Sequence, residues 1–136
     1  MSSTSKVALV TGAGTGIGQN TALRLLEEDY SVVLAGRRSE LLEKTKKEAG
    51  DYGSRTLIVP TDVGSPESVR ELFTKIRETF GRLDLLFNNA GIGAPAVPLE
   101  EISYEQWKSV VDVNLTGAFL CTQAVSYTHL TLPTKA

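Results

Sequence analysis

A glycine-rich stretch near the start of the chain has the composition of a phosphate-binding loop. VTGAGTGIG, at 10–18, lies between a short β-rich run and a segment with helical spacing of apolar residues. Glycines let the backbone approach phosphate oxygens, and N–H groups at a helix N-terminus attract negative charge. The spacing is T-G-x-x-x-G-x-G, with Gly12, Gly16 and Gly18, because Ile17 replaces the third glycine of G-x-G-x-x-G. The stretch predicts a pyrophosphate site; the alternative is a glycine-rich turn without a ligand.

The end of the second β-rich run, LAGRR, indicates which dinucleotide would bind. NAD-binding units usually carry Asp or Glu about 20 residues after the glycine loop, where the carboxylate binds the ribose hydroxyls. Gly36 leaves that place empty here, and Arg37 and Arg38 follow it. A guanidinium can hold a phosphate through paired hydrogen bonds. The sequence therefore favours NADP(H) over NAD(H), with Arg37 the stronger candidate; alternatively, both arginines only decorate a solvated helix start.

Strand and helix patterns alternate along the chain and would position these two segments. The β-rich runs are 6–11, 31–36, 55–60 and 83–89, and the last is apolar on both faces. Such runs are typical of parallel sheets that helices cover on each side. The order predicts an α/β fold with a doubly wound parallel sheet.

Two of the predicted helices carry clear end signals. Ser65 is placed to cap a helix that starts with Pro66, and Gly81 is placed to end it. Ser103 and Gln106 have the spacing of a capping box. Helical periodicity predicts four stripes that face a core: Ile17, Ala22, Leu25 and Leu26; Leu41, Leu42, Thr45 and Ala49; Val69, Leu72, Phe73, Ile76 and Phe80; and Trp107, Val110, Val111, Asn114, Leu115, Ala118 and Phe119.

Four motifs together resemble those of the short-chain dehydrogenase/reductase family. They are TGAGTGIG, TDV at 61–63, NNAG at 88–91 and VNLTG at 113–117, and their order and spacing match from about Lys6 to Ala124. The resemblance implies an NAD(P)-binding Rossmann fold and hydride transfer between a nicotinamide and a carbonyl or secondary alcohol. It does not identify the substrate.

The resemblance also implies roles for individual residues. Asp62 and Val63 are expected beside the adenine ring, the segment after Asn88 is expected along the cofactor, and Asn88 itself is expected to brace the sheet. The predicted cofactor-binding residues are Gly12, Thr15, Gly16, Ile17, Gly18, Arg37, Arg38, Asp62, Val63, Asn89, Ala90 and Gly91.

Asn114 is the predicted catalytic residue. It matches the asparagine of the family's catalytic tetrad, which helps to hold a proton-relay water. Its position on an apolar helical stripe predicts a buried amide, which would need hydrogen-bond partners. The alternative is an asparagine that bonds to neighbouring backbone and has no catalytic role.

The family's other catalytic groups are not matched. The family uses a Ser and a Tyr whose pKa is lowered by a Lys four residues later, because an ordinary Tyr is a poor base at neutral pH. Tyr127 has Thr131 at that spacing, whereas Tyr104 and Lys108 precede Asn114 and are expected on the surface. We therefore expect residues 1–124 to form a Rossmann domain truncated after about four strands, which binds cofactor at best and is poorly stable alone.

The last residues do not continue the pattern. Residues 125–134, VSYTHLTLPT, match one reading frame of a transposase adapter used in sequencing libraries. The match predicts that 125–136 are a non-native tail. The competing interpretation is a real strand, since YTHLTL shows β-like alternation.

Composition and charge exclude several classes of function. The 136 residues carry a net charge of −2, which gives no electrostatic case for nucleic acid or an anionic membrane. A single cysteine, Cys121, excludes an internal disulfide framework and a cysteine-based zinc site, and no metal site is predicted. No apolar run approaches the roughly 20 residues of a membrane span, and the start lacks a secretory signal, so we expect a cytoplasmic protein.

The expected partner is therefore a small carbonyl or alcohol, and the family implies that the parent enzyme is a homo-oligomer. Two other functions stay open. One is a non-catalytic protein that binds or senses a dinucleotide. The other is a methyltransferase, which also uses a glycine loop after its first strand; the basic LAGRR and the NNAG motif argue against it.

Overall fold

Residues 6–91 and 96–130 are described by a computed structural model, with side chains as far as residue 126. Four parallel strands form one sheet in the order β3-β2-β1-β4. The strands are β1 (Val7–Thr11), β2 (Ser31–Gly36), β3 (Thr56–Pro60) and β4 (Leu85–Phe87). The helices are α1 (Gly16–Glu27), α2 (Ser39–Glu48), α3 (Pro66–Thr79), α4 (Tyr104–Val111) and α5 (Gly117–Leu130). The predicted α/β fold is confirmed.

Helices cover both faces of the sheet, so each face has its own apolar core. Alternate residues of a strand point to opposite faces, and β2 shows this directly. Val32 and Leu34 pack with Ala22, Leu26 and Leu42 of α1 and α2. Val33 and Ala35 pack on the other face, in a cluster that includes Val69, Leu72, Phe73 and Ile76 of α3 and Cys121 of α5.

The strand register brings four strand ends to one edge of the sheet. Thr11 pairs with Ala35, Gly36 pairs with Pro60, and Val10 pairs with Phe87. From β1 the sheet extends through β2 and β3 on one side and through β4 on the other. This reversal opens a crevice at the carboxyl ends of the strands, where ligands bind in open α/β sheets.

Most of the local end signals are confirmed. The Ser65 hydroxyl accepts a hydrogen bond from the Ser68 N–H, and Pro66 is the first residue of α3. Gly81 follows α3 with φ 74°, a left-handed conformation that glycine adopts without steric cost. The capping box at the start of α4 is formed in both directions by Ser103 and Gln106.

The fourth predicted helix differs from expectation. A π-helical segment, Asp112–Thr116, separates α4 from α5. Trp107, Leu115 and Phe119 are 60%, 67% and 58% exposed, and Asn114 is exposed as well. The predicted burial of this stripe is therefore wrong. Ile17 is also 70% exposed rather than part of the core, because it belongs to the glycine loop's first helical turn.

The helix α5 continues past Ala124 to Leu130. The backbone at 127–130 is therefore helical, and the alternative of a strand is wrong for these residues. Residues 131–136 of the predicted tail lie outside the described part, as do residues 1–5. Assignment of 125–136 as a non-native tail stays a prediction. None of the helices in the described ranges is long and apolar enough to cross a membrane.

Candidate functional site

The crevice at the carboxyl edge of the sheet is lined by residues at or after the ends of the four strands and by one residue of the π-helical segment. Those that line it are Gly12, Gly36, Arg37, Thr61, Asp62, Val63, Ala90, Gly91 and Val113. Six of the predicted cofactor-binding residues are among them: Gly12, Arg37, Asp62, Val63, Ala90 and Gly91. The structure thus brings together segments that are far apart in sequence.

The glycine loop has a backbone that other residues would disturb. Gly12 and Gly16 have φ angles of 67° and 56°, in the left-handed region. A Cβ at Gly18 would overlap the Gly12 carbonyl oxygen and lie 2.5 Å from Nδ2 of Asn89. Thr15 caps α1 in an extended conformation without a side-chain hydrogen bond to the first turn. At Gly18 the backbone therefore lies too close to a neighbouring segment for a side chain. The N–H groups at the start of α1 are not capped by the Thr15 side chain.

A buried hydroxyl that the sequence did not single out joins two sides of the crevice. Thr11 is 1% exposed, and its Oγ1 accepts hydrogen bonds of 2.9 Å from the N–H groups of both Asn89 and Ala90. The Asn89 side chain in turn donates to the Gly12 carbonyl at 3.3 Å. These bonds hold the NNAG segment against the glycine loop. A threonine at the end of an otherwise apolar buried strand was the available signal.

The two arginines after β2 have different surroundings. Arg37 is exposed and lines the crevice. Arg38 forms an ion pair of 2.9 Å with Glu40, outside the group of residues that line the crevice. A backbone hydrogen bond and the Arg38 guanidinium lower the pKa of Glu40, so the carboxylate is charged at neutral pH. Arg37 is accordingly the arginine better placed to meet an anion in the crevice.

The loop after β3 is held by its own polar groups. The Thr61 N–H donates to the Gly36 carbonyl at 2.7 Å, and the Asp62 N–H donates to Ser68 Oγ at 2.8 Å. The Asp62 carboxylate accepts from the Gly64 N–H at 2.9 Å. Asp62 is exposed, whereas Val63 is 6% exposed. The loop therefore has a fixed backbone with a carboxylate at its rim.

The π-helical segment lies directly against this loop and the NNAG segment. A Cβ at Gly117 would lie 2.7 Å from Cγ2 of Val63, which shows how closely α5 approaches the loop. A Cβ at Gly91 would lie 3.1 Å from Oδ1 of Asn114. Asn114 is thus exposed, contrary to the prediction, but its amide is adjacent to the crevice. Asn88 connects β4 to α5 through a hydrogen bond of 3.2 Å from Nδ2 to Thr122 Oγ1.

The other reactive side chains that the structure describes lie outside the crevice. Tyr104 is 69% exposed, and Lys108 pairs with Asp112 at 2.8 Å, so their surface location is confirmed. Cys121 is buried between α5 and the sheet, and burial raises the pKa of its thiol to about 11. The side chains of Tyr127 and His129 lie outside the described ones. Over 6–91 and 96–126, no group of three or more His, Cys, Asp or Glu residues could hold a metal.

Comparison with known proteins decides the family. A family model described as short chain dehydrogenase matches residues 6–131. The chain belongs to the short chain dehydrogenase family. This membership accounts for the joint presence of the glycine loop, the TDV segment, the NNAG segment and the VNLTG segment in one chain.

Several oxidoreductases of known description are similar to this chain. The cis-4-hydroxycyclohexanecarboxylate dehydrogenase of Sinomonas cyclohexanicum is 42% identical over 116 residues, which cover 85% of this chain and 46% of that protein. A crystal structure of an actinorhodin polyketide ketoreductase variant with NADPH gives a TM-score of 0.87 at 37% identity, covering 93% of this chain and 48% of that one. The 3-ketoacyl-(acyl-carrier-protein) reductase of Brucella melitensis, solved with NADH, gives 0.81 at 35% identity, covering 87% and 47%.

The chain spans about half the length of the curated relatives it matches. The segment of the family that it corresponds to carries the glycine loop and the four strands described above.

Proposed function

We propose that this chain is the NADP(H)-binding portion of a short-chain dehydrogenase/reductase. The whole protein would transfer hydride between the nicotinamide and a small carbonyl compound or secondary alcohol. One observation carries the proposal: the glycine loop, Arg37, the loop after β3 and the NNAG segment all meet in one crevice at the switch point of the sheet.

The residues of the crevice fit a dinucleotide. The glycine loop presents the backbone of Gly12 and Gly14 between the end of β1 and the start of α1, which suits a pyrophosphate. Asp62 and Val63 would contact the adenine end, because their loop lies beside Gly36 and Arg37. Asn89, Ala90 and Gly91 would line the rest of the cofactor. Thr15, Gly16, Ile17 and Gly18 lie at the start of α1, where Ile17 is 70% exposed.

The preference for NADP(H) rests on charge at the end of β2. Gly36 offers no carboxylate to the ribose hydroxyls, and Arg37 offers a guanidinium in the crevice to a 2′-phosphate. The ion pair with Glu40 partly occupies Arg38, so Arg37 would contribute more. The similar proteins include one solved with NADPH and one solved with NADH, so the affinities of this chain for both cofactors should be compared.

Chemistry would need groups beyond those in the crevice. The nicotinamide supplies or accepts the hydride when bound. Asn114, beside Gly91, would help to hold a water for proton transfer, as the family resemblance implies. The Ser and Tyr-x-x-x-Lys of the family have no match after Asn114 in this sequence, since Tyr104 and Lys108 have that spacing but precede it. We therefore expect this chain to bind cofactor without turnover.

Replacing Arg37 by Asp tests the cofactor assignment. We expect R37D to weaken NADPH binding at least tenfold, because it removes one charged phosphate contact and adds a repulsive charge, while NADH binding stays equal or becomes tighter. Dissociation constants for both cofactors can be measured by nicotinamide fluorescence. Arg70→Asp, on the exposed face of α3, is the control for the same change in charge away from the crevice. An unchanged ratio of NADPH to NADH affinity in R37D would contradict the NADP(H) assignment.

Three observations separate the alternatives. Tight binding of S-adenosylmethionine, with none of either nicotinamide cofactor, would favour a methyltransferase instead. A natural transcript that encodes residues 125–136 would favour the non-catalytic dinucleotide-binding protein. A Ser and a Tyr-x-x-x-Lys encoded after the codon for Ala124 in the continuous gene would support the oxidoreductase.

A further inference from the structure

Thr45, in the middle of α2, makes a contact with the glycine loop that the proposed function does not use. Its side chain is fully buried, and Oγ1 lies 2.9 Å from the carbonyl oxygen of Ala13. Ala13 is buried as well, and it belongs to the loop between β1 and α1. The hydroxyl therefore donates to the backbone of the predicted pyrophosphate loop from a separate helix.

The hydroxyl proton has two possible acceptors, and the closer one is the loop. Thr45 Oγ1 lies 3.2 Å from the Leu41 carbonyl one turn earlier in α2, against 2.9 Å from the Ala13 carbonyl. The Leu41 carbonyl lies within α2, where carbonyls bond to N–H groups of the same helix, whereas the Ala13 carbonyl lies in a turn. A buried carbonyl that loses its partner is costly. The bond to Ala13 is thus the one whose loss would release the loop.

Holding the Ala13 carbonyl also fixes the next N–H group. The peptide unit between Ala13 and Gly14 is planar and trans, so its C=O and N–H point in opposite directions. With the carbonyl directed at Thr45, the Gly14 N–H points away from α2. Two neighbouring features restrict this peptide. The Ala13 N–H donates to Ala35 O at 3.2 Å, and Gly14 lies so close to α2 that an added Cβ would be 2.7 Å from Cβ of Leu41.

The helix that carries Thr45 begins beside the arginines. Arg38 caps α2, and Arg37 lines the crevice one residue earlier. One rigid helix therefore contacts the loop predicted to hold the pyrophosphate and starts at the residues predicted to hold the 2′-phosphate. The distance between these two subsites depends on how α2 is attached to the loop.

We infer that Thr45 is a positioning residue for the cofactor: its hydroxyl holds the Ala13–Gly14 peptide in the conformation that receives the pyrophosphate. This inference rests on the proposed function, since it assigns a role within the same site. Thr45 itself is not among the residues that line the crevice.

Thr45→Val removes the hydroxyl and keeps the branched shape, and Thr45→Ser keeps the hydroxyl. We expect T45V to weaken NADPH binding about tenfold, which is the effect of losing one buried hydrogen bond, and T45S to restore binding to within about threefold of wild type. Adenosine 2′-monophosphate has no pyrophosphate, so its affinity should change less than about twofold in T45V. All affinities can be measured by calorimetry on the 136-residue chain.

Thr56→Val is the matched control. Thr56 is half-buried and donates to the Gly53 carbonyl at 2.7 Å, at the end of β3 away from the crevice. We expect T56V to lower the melting temperature as T45V does and to leave NADPH affinity unchanged. Equal NADPH affinity in T45V and wild type, equal weakening in T45V and T56V, or no recovery in T45S would overturn the inference. Failure of the wild-type chain to bind NADPH would instead overturn the proposed function, and the inference with it.

Discussion

Apolar residues recur with regular spacing in two regions, the glycine-loop region, 7–48, and the α4–α5 face, 104–126. The structure buries these residues in the first region and leaves several of the largest exposed in the second. In the first, the apolar positions of β1 and β2 are between 0% and 2% exposed, and Ala22, Leu26 and Leu42 close the layer above them. On the second, α4 has no buried residue, and Trp107, Leu115 and Phe119 are more than half exposed. Periodicity thus identifies the apolar side of a helix but not whether something covers it.

The crevice lies where these two regions meet. The glycine-loop region supplies one wall of the crevice, including Gly12 and Arg37, and the α4–α5 face supplies the segment that carries Asn114. The α4–α5 face approaches the loops after β3 and β4 through glycines, at Gly117 beside Val63 and at Gly91 beside Asn114. The following substitutions test how far the two regions differ and how firmly they are joined.

The largest difference is expected between two leucines. Leu26→Ala removes a fully buried side chain from α1 and should lower the free energy of unfolding by about 3 kcal/mol. Leu115→Ala removes a side chain that is 67% exposed and should change that free energy by less than about 0.5 kcal/mol. Urea unfolding of both variants measures the contrast. Equal losses would mean that the α4–α5 face is buried in solution.

Two glycines of the loop give the next effect. Gly18→Ala should cost about 2 kcal/mol of stability and weaken NADPH binding, because the new Cβ would overlap the Gly12 carbonyl. Gly16→Ala has no atom within 4 Å of its Cβ, so only the φ of 56° is penalised, by about 1 kcal/mol. Denaturant midpoints separate the two. A Gly16 variant less stable than the Gly18 variant would show that strain, not contact, governs this loop.

Gly117→Ala tests the junction between the regions. In an isolated helix this change would stabilise by about 1 kcal/mol, whereas overpacking against Val63 should cost more and give a net loss of about 1 kcal/mol. The sign of the change in melting temperature therefore reports whether α5 is packed on the loop after β3. A higher melting temperature would contradict the contact.

The smallest effect is expected at Asp84, which directly precedes β4 and accepts a hydrogen bond from the N–H of Val7, the first residue of β1. Burial raises the pKa of Asp84, but hydrogen bonds from Arg82 and from the Val7 N–H outweigh it and leave that pKa below its ordinary value. The stabilisation of the fold by the Asp84 carboxylate is therefore present above the unfolded pKa of about 4 and is lost as pH falls through the lower folded pKa. Asp84→Asn should remove less than about 1 kcal/mol at pH 7 and flatten the acid loss of stability. Melting curves from pH 7 to about pH 3 measure both effects. If the melting temperatures of wild type and variant changed in parallel with pH, the Asp84 carboxylate would have no part in the pH dependence of stability.

The parts that could be predicted are those that local chemistry determines. The cap at Ser65, the stop at Gly81 and the capping box at Ser103 depend on a few neighbouring residues, and all three are formed. The fold followed from the alternation of patterns, since parallel strands require helical crossovers. The gathering of Gly12, Arg37 and Asp62 in one crevice followed from the shared edge of the strands.

The parts that could not be predicted depend on distant contacts. The exposure of Asn114 was missed because the pattern around it is apolar, and the π-helical segment has no local signal of comparable strength. The hydroxyls of Thr11 and Thr45 stood among buried positions, but the partners that join them to other segments, Asn89 and Ala13, are 78 and 32 residues away in sequence. Such partners become evident only once the sheet order is known.

The hydroxyl of Thr11 has a consequence for the order of folding. Its bonds to the NNAG segment span 78 and 79 residues, and the neighbouring pairing of β1 with β4 spans a similar stretch, whereas β1 and β2 are joined through one local helix. Closing a long chain loop costs more entropy and slows folding. We therefore expect the glycine loop to form with β1, α1 and β2, and the opposite wall of the crevice to arrive late, together with β4. A ligand that contacts both walls would therefore stabilise the pairing of β4, the last strand to join the sheet.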